Sequence, residues 1–358
     1  MGSEKTINRI GIIGSGKMGT DILHFLLFQN YKITQICLNI EEAERSRQLL
    51  NKKLLRLQRC EAINEEQFVN TISSVDINNE YKSLESCDLI IECTWENPDR
   101  KKKLMNDIAS YLQTEAVIAS NSSSIKPSLF VNKTLSDKTL GLHFFYPVKL
   151  KNIVEIIVSK ETSDDAKNMI VAFCKKIGKR HLMLDEENAF ILNKLFLEVQ
   201  NEAFNIHIES NLSYKQIDDV VKENLFPDGI FSFFDQVGND IMLASIMNYI
   251  SDISDSERYH PLVHKLEEMC RNNQLGVKTK SGFYPYLDIE NQVINKNVTT
   301  TNEIITGNII SRLCNIYFKE AHRIIAKGIC SPDDLEFAVK EYMNIDKGPF
   351  TLEQELKK

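Results

Sequence analysis

The sequence predicts an α/β fold, a doubly wound and mostly parallel sheet, followed by an all-α helical domain with a second, shortened helical repeat. Three observations predict it. Short apolar, β-branched runs alternate with helix-like segments through the first half of the chain. From Asn188 to about Asn273 apolar residues recur at helical spacing and strand-like runs cease. One helical pattern then returns: ILNKLFLEVQNEAF at Ile191 reappears as IISRLCNIYFKEAH at Ile309, and SYKQIDDVV at Ser213 as SPDDLEFAV at Ser331, both 118 residues on.

The first run, from about Ile7, leads through a glycine turn into an apolar-rich helix and a second run, which is β-α-β order. Further strands are expected at CDLIIECT and AVIASNS, joined by a helix from about Pro98 to Tyr111. TLGLHFFYP and NIVEIIVS then read as a strand and its return, separated by a turn containing Pro147. Residues 1–185 are expected to form the first domain, 186–286 the helical domain and 303–358 the partial repeat. The Asn- and Thr-rich stretch Leu287–Thr301 links the copies.

At 358 residues the chain exceeds one ordinary core, and 42% hydrophobic with 26% charged residues is a globular balance. A net charge of -7 without a basic tract argues against nucleic acid as a partner. No apolar run is long enough to span a bilayer and no secretory signal opens the chain, so no membrane partner and a cytoplasmic location are expected. The acylation-like pattern at Gly2 and the sequons at Asn132, Asn211 and Asn297 read as chance matches. Eight scattered cysteines without a Cys-x-x-Cys or zinc spacing read as free thiols in a reducing compartment, and no metal is implied.

Gly14-Ser15-Gly16-Lys17-Met18-Gly19 is a G-x-G-x-x-G motif between an expected strand and helix, the Rossmann context in which it binds a dinucleotide. Gly14 permits the tight turn, Gly16 lets a pyrophosphate approach the backbone, and Gly19 lets helix pack on strand. Lys17 and Met18 open the helix whose N-terminus favours the anion. At the end of the second strand, where an acid ordinarily accepts from the adenosine ribose, this reading places Asn39. Asparagine can bond a ribose hydroxyl but lacks the charge that repels a 2'-phosphate. NAD is therefore expected as cofactor, with NADP left open by Asn39 and by nearby Arg45 and Arg47.

His143 ends an expected strand on the side where open α/β sheets bind ligands. Twelve residues on, Glu155 interrupts an apolar strand, where a carboxylate is costly to bury without a partner. A strand and its antiparallel return can pair the two, so that the carboxylate fixes the imidazole tautomer for acid/base work. A dehydrogenase acting on a secondary alcohol requires such a base.

GIIGSGKMG, DLIIECTWEN, IASNSSS, GLHFFYPVKLKNIVEII and LGVKTKSGFYPY occur in the order and spacing of the L-3-hydroxyacyl-CoA dehydrogenase family, which the chain resembles over nearly its whole length. The resemblance implies a Rossmann domain followed by a helical domain, NAD, and interconversion of 3-hydroxyacyl and 3-oxoacyl thioesters. It implies His143 as the catalytic base, Glu155 as its partner, Ser123 as a contact to the substrate oxygen, and Asn193 as the helical-domain residue closing over substrate. Glu96 and Asn121 match positions lining the nicotinamide side.

Three departures stand out. Asn39 replaces an acid, Tyr146 replaces the asparagine after His-Phe-Phe, and FPDGIF stands where Gly-Pro-Phe is usual, although the second copy carries Gly348-Pro349-Phe350. The substrate partner is expected to be an acyl-CoA or the same acyl group on an acyl carrier protein. Lys52, Lys53, Arg56 and Arg59 lie on a helix flanking the cleft and are candidates for meeting it. A dehydrogenase of free hydroxy acids and a catalytically silent NAD-binding protein are the competing readings. Single-copy relatives dimerise through the helical surface, so a monomer or a homodimer through that domain is expected, the partial copy reducing the need for a dimer.

Overall fold

The computed structural model describes residues 6–251, 253–286 and 303–357. Gly2, Asn297 and the Leu287–Thr301 link lie outside them. The chain divides into two compact units, Met1–Ala189 and Phe190–Lys358.

The first unit is an eight-stranded sheet with strands β1 (Arg9–Ile13), β2 (Lys32–Ile36), β3 (Val75–Asn78), β4 (Leu89–Glu92), β5 (Val117–Ser120), β6 (Thr139–Phe144), β7 (Ile153–Val158) and β8 (Arg180–Asp185). Their spatial order is β3-β2-β1-β4-β5-β6-β7-β8. The first six are parallel; β7 pairs antiparallel with β6, and β8 runs parallel to β7. Helices α1 (Lys17–Leu26), α2 (Ile40–Arg59), α3 (Glu65–Ser73), α4 (Pro98–Ile108) and α5 (Asp164–Lys176) connect them.

Strand alternation divides the apolar side chains between the two faces. Ile10, Ile12, Leu89 and Ile91 join Ile22, Leu26, Leu54 and Phe173 of α1, α2 and α5 in one core. Ile13, Ile90 and Ile118 join Leu104, Met105 and Ile108 of α4 in the other. Strands at Val75–Asn78 and Arg180–Asp185 were not among those expected from the sequence. Both are sheet edges: β3 buries only Ile77, and β8 exposes Met183 between its buried leucines and Arg180 and Asp185 at its ends, so neither forms a continuous apolar run.

The second unit contains α6 (Ile191–Ser210), α7 (Tyr214–Asn224), α8 (Ile230–Val237), α9 (Asn239–Ile250), α10 (His260–Arg271), α11 (Glu303–Ala326), α12 (Pro332–Met343) and α13 (Pro349–Leu356). The sequence repeat is a structural repeat. Ser213 caps α7 by accepting from Gln216 N, and Ser331 caps α12 by accepting from Asp334 N. Asp218 of α7 accepts from Phe231 N and Ser232 N, both at 2.9 Å, at the start of α8. Glu336 of α12 does the same for α13 through Gly348 N at 2.9 Å and Phe350 N at 3.0 Å. In both copies a carboxylate satisfies the orphan amides of the following helix. No helix among the described residues is long and apolar enough to cross a membrane.

Candidate active site

The glycine loop leaves β1 and enters α1. Gly14 has φ +115, and a Cβ there would lie 2.6 Å from the Cys93 carbonyl oxygen; one at Gly19 would lie 2.2 Å from the Gly14 carbonyl oxygen. Both positions require glycine for backbone approach. Gly16 meets nothing within 4 Å, and no side chain caps α1. The loop is thus a concave stretch of backbone ending at a helix N-terminus whose amides are not taken by a cap, which fits a dinucleotide pyrophosphate. Lys17 is exposed with Nζ 3.8 Å from the centre of the Tyr146 ring, while Met18 packs into the core under α1. Met18 therefore belongs to the loop through its backbone.

Asn39 requires a correction. β2 ends at Ile36, so the residue that follows the strand is Cys37, and Asn39 is the N-cap of α2, where its Oδ1 accepts from Glu42 N at 2.8 Å. A short polar side chain just before an amphipathic helix is a cap before it is anything else. Arg47 is bonded to the Ile77 carbonyl and to Glu44, and Arg45 is exposed.

His143 and Glu155 face each other directly across the β6–β7 ladder. Their alternation puts them on one face, and residues opposite in an antiparallel pair lie within side-chain reach. His143 Nδ1 and Glu155 Oε2 are 2.8 Å apart, with both residues buried. The carboxylate accepts, so the tautomer with the proton on Nδ1 is favoured. The Phe145 ring lies against the imidazole with centroids 4.4 Å apart.

At the ends of β4 and β5 a second polar cluster forms. Glu96 accepts from Ser123 N at 2.6 Å and from Ser123 Oγ at 3.0 Å, and also from Ser122 Oγ. Asn121 Oδ1 accepts from Phe144 N at 2.9 Å, tying this loop to the residue after His143. Ser123, Glu96, Asn121, His143 and Glu155 thus lie along the carboxyl ends of β4, β5 and β6 and their return β7. Asn193 lies in the second unit, where its Nδ2 donates to the Tyr249 hydroxyl at 2.9 Å and its Oδ1 accepts from the Tyr342 hydroxyl at 3.1 Å.

A further pair beneath this loop was not among the candidates read from the sequence. Glu92 and Lys101 are fully buried, with Nζ 2.7 Å from both carboxylate oxygens, and Ser120 Oγ and Thr94 N also donate to Glu92. Burial pushes the Glu92 carboxyl up, but Lys101, Ser120 and Thr94 outweigh it and hold it below its ordinary range. The available signal was the same as for Glu155, a carboxylate inside an apolar strand. On α2, Lys53 is half-buried and its pKa is lowered by that burial and by Lys149 and Arg56, while Asp21 opposes the shift; Lys52, Arg56 and Arg59 are exposed.

Two family models match the chain: the NAD binding domain of 3-hydroxyacyl-CoA dehydrogenase over residues 9–187 and the C-terminal domain of the same enzyme over residues 190–286. The chain is 30% identical over 282 residues to 3-hydroxybutyryl-CoA dehydrogenase of Clostridioides difficile, covering 78% of this chain and 99% of that protein. It is 27% identical to the mitochondrial hydroxyacyl-coenzyme A dehydrogenase of Rattus norvegicus, covering 78% and 91%. Among solved structures, (S)-3-hydroxybutyryl-CoA dehydrogenase from Ralstonia eutropha superposes with a TM-score of 0.71 at 28% identity, covering 79% of this chain and all of that one. 3-Hydroxybutyryl-CoA dehydrogenase from Escherichia coli shares the fold with a TM-score of 0.83 at 18% identity, over 98% of this chain and 92% of that one.

Proposed function

The chain belongs to the 3-hydroxyacyl-CoA dehydrogenase family, NAD-dependent oxidoreductases acting on CH-OH groups, and on that premise we propose that it interconverts (S)-3-hydroxyacyl-CoA and 3-oxoacyl-CoA. The observation that carries the proposal is the buried His143–Glu155 pair at the carboxyl edge of the sheet. When bound, NAD supplies the hydride acceptor or donor. The chain's own part is to hold the reacting carbon and move one proton.

With Nδ1 engaged by Glu155, the imidazole exchanges the substrate hydroxyl proton at Nε2. Glu155 stabilises the imidazolium formed in the oxidative direction, and burial strengthens that interaction by excluding water. Ser123 is assigned to the substrate oxygen, Asn193 to closing over the substrate, and Glu96 and Asn121 to the nicotinamide side. The short bonds among Ser123, Glu96, Asn121 and Phe144 support a preorganised loop for those roles. The basic residues Lys52, Lys53, Arg56 and Arg59 of α2 are assigned to the anionic carrier.

The test follows NADH absorbance with acetoacetyl-CoA, the same acyl group on an acyl carrier protein, and free acetoacetate, in the native chain and in His143→Ala. Turnover of the CoA ester, reduced at least ~100-fold in the variant, is the expected result. Turnover of the carrier-protein ester alone would move the substrate to that carrier. Turnover of acetoacetate alone would replace the thioester reading, and silence on all three with NADH still bound would reject catalysis.

A further inference from the structure

The structure offers no acid at the end of β2, the place from which a dinucleotide fold ordinarily reads the adenosine ribose. The residue following the strand is Cys37, whose thiol is pushed up by burial and stays uncharged, and Asn39 is committed to capping α2. A carboxylate nevertheless reaches the glycine loop from the first turn of α2. Glu42 Oε2 accepts from Ser15 Oγ at 2.9 Å, and Ser15 lies between Gly14 and Gly16. Arg47, a basic residue close enough in sequence to be a candidate for a 2'-phosphate, has its guanidinium bonded to the Ile77 carbonyl at 2.6 and 3.0 Å and to Glu44. Leu38 and Ile40, on either side of Asn39, are 68% and 64% exposed, apolar surface suited to the faces of an adenine ring.

We propose that Glu42 is the residue that binds the adenosine ribose of NAD and excludes NADP, replacing the missing acid at the end of β2. The ribose 2'-hydroxyl donates to the Glu42 carboxylate, whereas a 2'-phosphate at that position meets like charge without a compensating cation from Arg47. The inference rests on the dinucleotide site of the function proposed above, but not on the identity of the substrate.

Binding of NADH and NADPH is measured by calorimetry on the full chain without thioester present, so loss of turnover and loss of nucleotide selectivity are separate readouts. The native chain is expected to favour NADH, and Glu42→Gln to lower the NADH over NADPH affinity ratio by about 10-fold or more, the scale of a charge-assisted hydrogen bond. Cys37→Asp in the Glu42→Gln background is expected to restore a preference for NADH. An unchanged ratio in Glu42→Gln, or equal weakening of both nucleotides, would overturn the proposal and leave Glu42 as a support for the loop.

Discussion

Replacing Lys101 with methionine keeps a long apolar stem in place and strands the Glu92 carboxylate. Both side chains are completely buried, and Nζ lies 2.7 Å from each carboxylate oxygen. At an effective dielectric of about 20, opposite unit charges at that distance attract by about 6 kcal/mol before desolvation is subtracted. The net loss has a lower ceiling, because the stranded carboxyl can take up a proton instead of remaining charged. Starting from an ordinary pKa of about 4.3, protonating it at pH 7 costs about 3.7 kcal/mol. That value falls within the ~3–5 kcal/mol measured when one partner of a buried pair is removed. For a unit of this size it corresponds to a Tm lower by about 7–15 °C.

The pH dependence tests the cause as well as the size. In the native chain the folded Glu92 carboxyl lies below its unfolded value. Its stabilisation is therefore complete above about pH 4.3 and is lost as pH falls through the lower folded value. In Lys101→Met the folded value is raised instead, so stability is greatest in acid and declines by about 1.4 kcal/mol per pH unit as pH rises above about 4.3. The deficit should thus shrink from about 3.7 kcal/mol at pH 7 to about 1 kcal/mol at pH 5. Urea titrations can be followed through Trp95, the one tryptophan of the chain, which lies three residues after Glu92. Glu92→Gln combined with Lys101→Met should recover part of the deficit at pH 7. A deficit under about 1 kcal/mol at pH 7, or one equal at pH 5 and pH 7, would refute the reasoning.

Gly16→Ala should fold with a Tm close to native, since a Cβ there meets nothing within 4 Å, yet weaken NADH at least ~10-fold in a fluorescence titration by obstructing the pyrophosphate. Tyr146→Asn removes the ring beneath Lys17 Nζ and should alter the profile of acyl-CoA chain lengths while leaving hydride transfer intact; an unchanged profile and rate would dismiss Tyr146 as a determinant. Light scattering should give the mass of a single chain, because α11 already lies on α6 within one unit; a tight dimer burying residues 303–358 would contradict this.

Much of the site was legible because its signals are local. Glu155 was readable as a carboxylate in an apolar strand twelve residues from a histidine, and the register makes them direct partners. Glu92 carried the same signal, but its partner lies in the run Arg100-Lys101-Lys102-Lys103, where nothing in the sequence distinguishes the buried lysine from its solvated neighbours. Asn39 was placed at the strand end because the apolar run Ile36-Cys37-Leu38 does not mark where pairing stops; Leu38 is in fact exposed. The bond of Tyr342 to Asn193 spans 149 residues and depends on how two helical copies pack, which no window of sequence contains.

That last contact changes the standing of the shortened copy. The C-terminal family model ends at residue 286, so by that measure residues 303–358 are an appendage. The packing of the second unit argues otherwise. Arg312 of α11 bonds Glu202 and Glu209 of α6, and Tyr317 packs against both Phe196 and Phe226 with centroids 5.9 and 5.6 Å away. Phe196 also meets the Tyr342 ring, so one aromatic cluster is built from both copies. Asn193 stands three residues before Phe196 on α6, and its amide is held between one tyrosine of each copy. An amide fixed at both its donor and its acceptor has its flip state and rotamer set by its partners. The orientation of the helical residue assigned to the substrate therefore depends on a segment outside the part of the chain that defines the family.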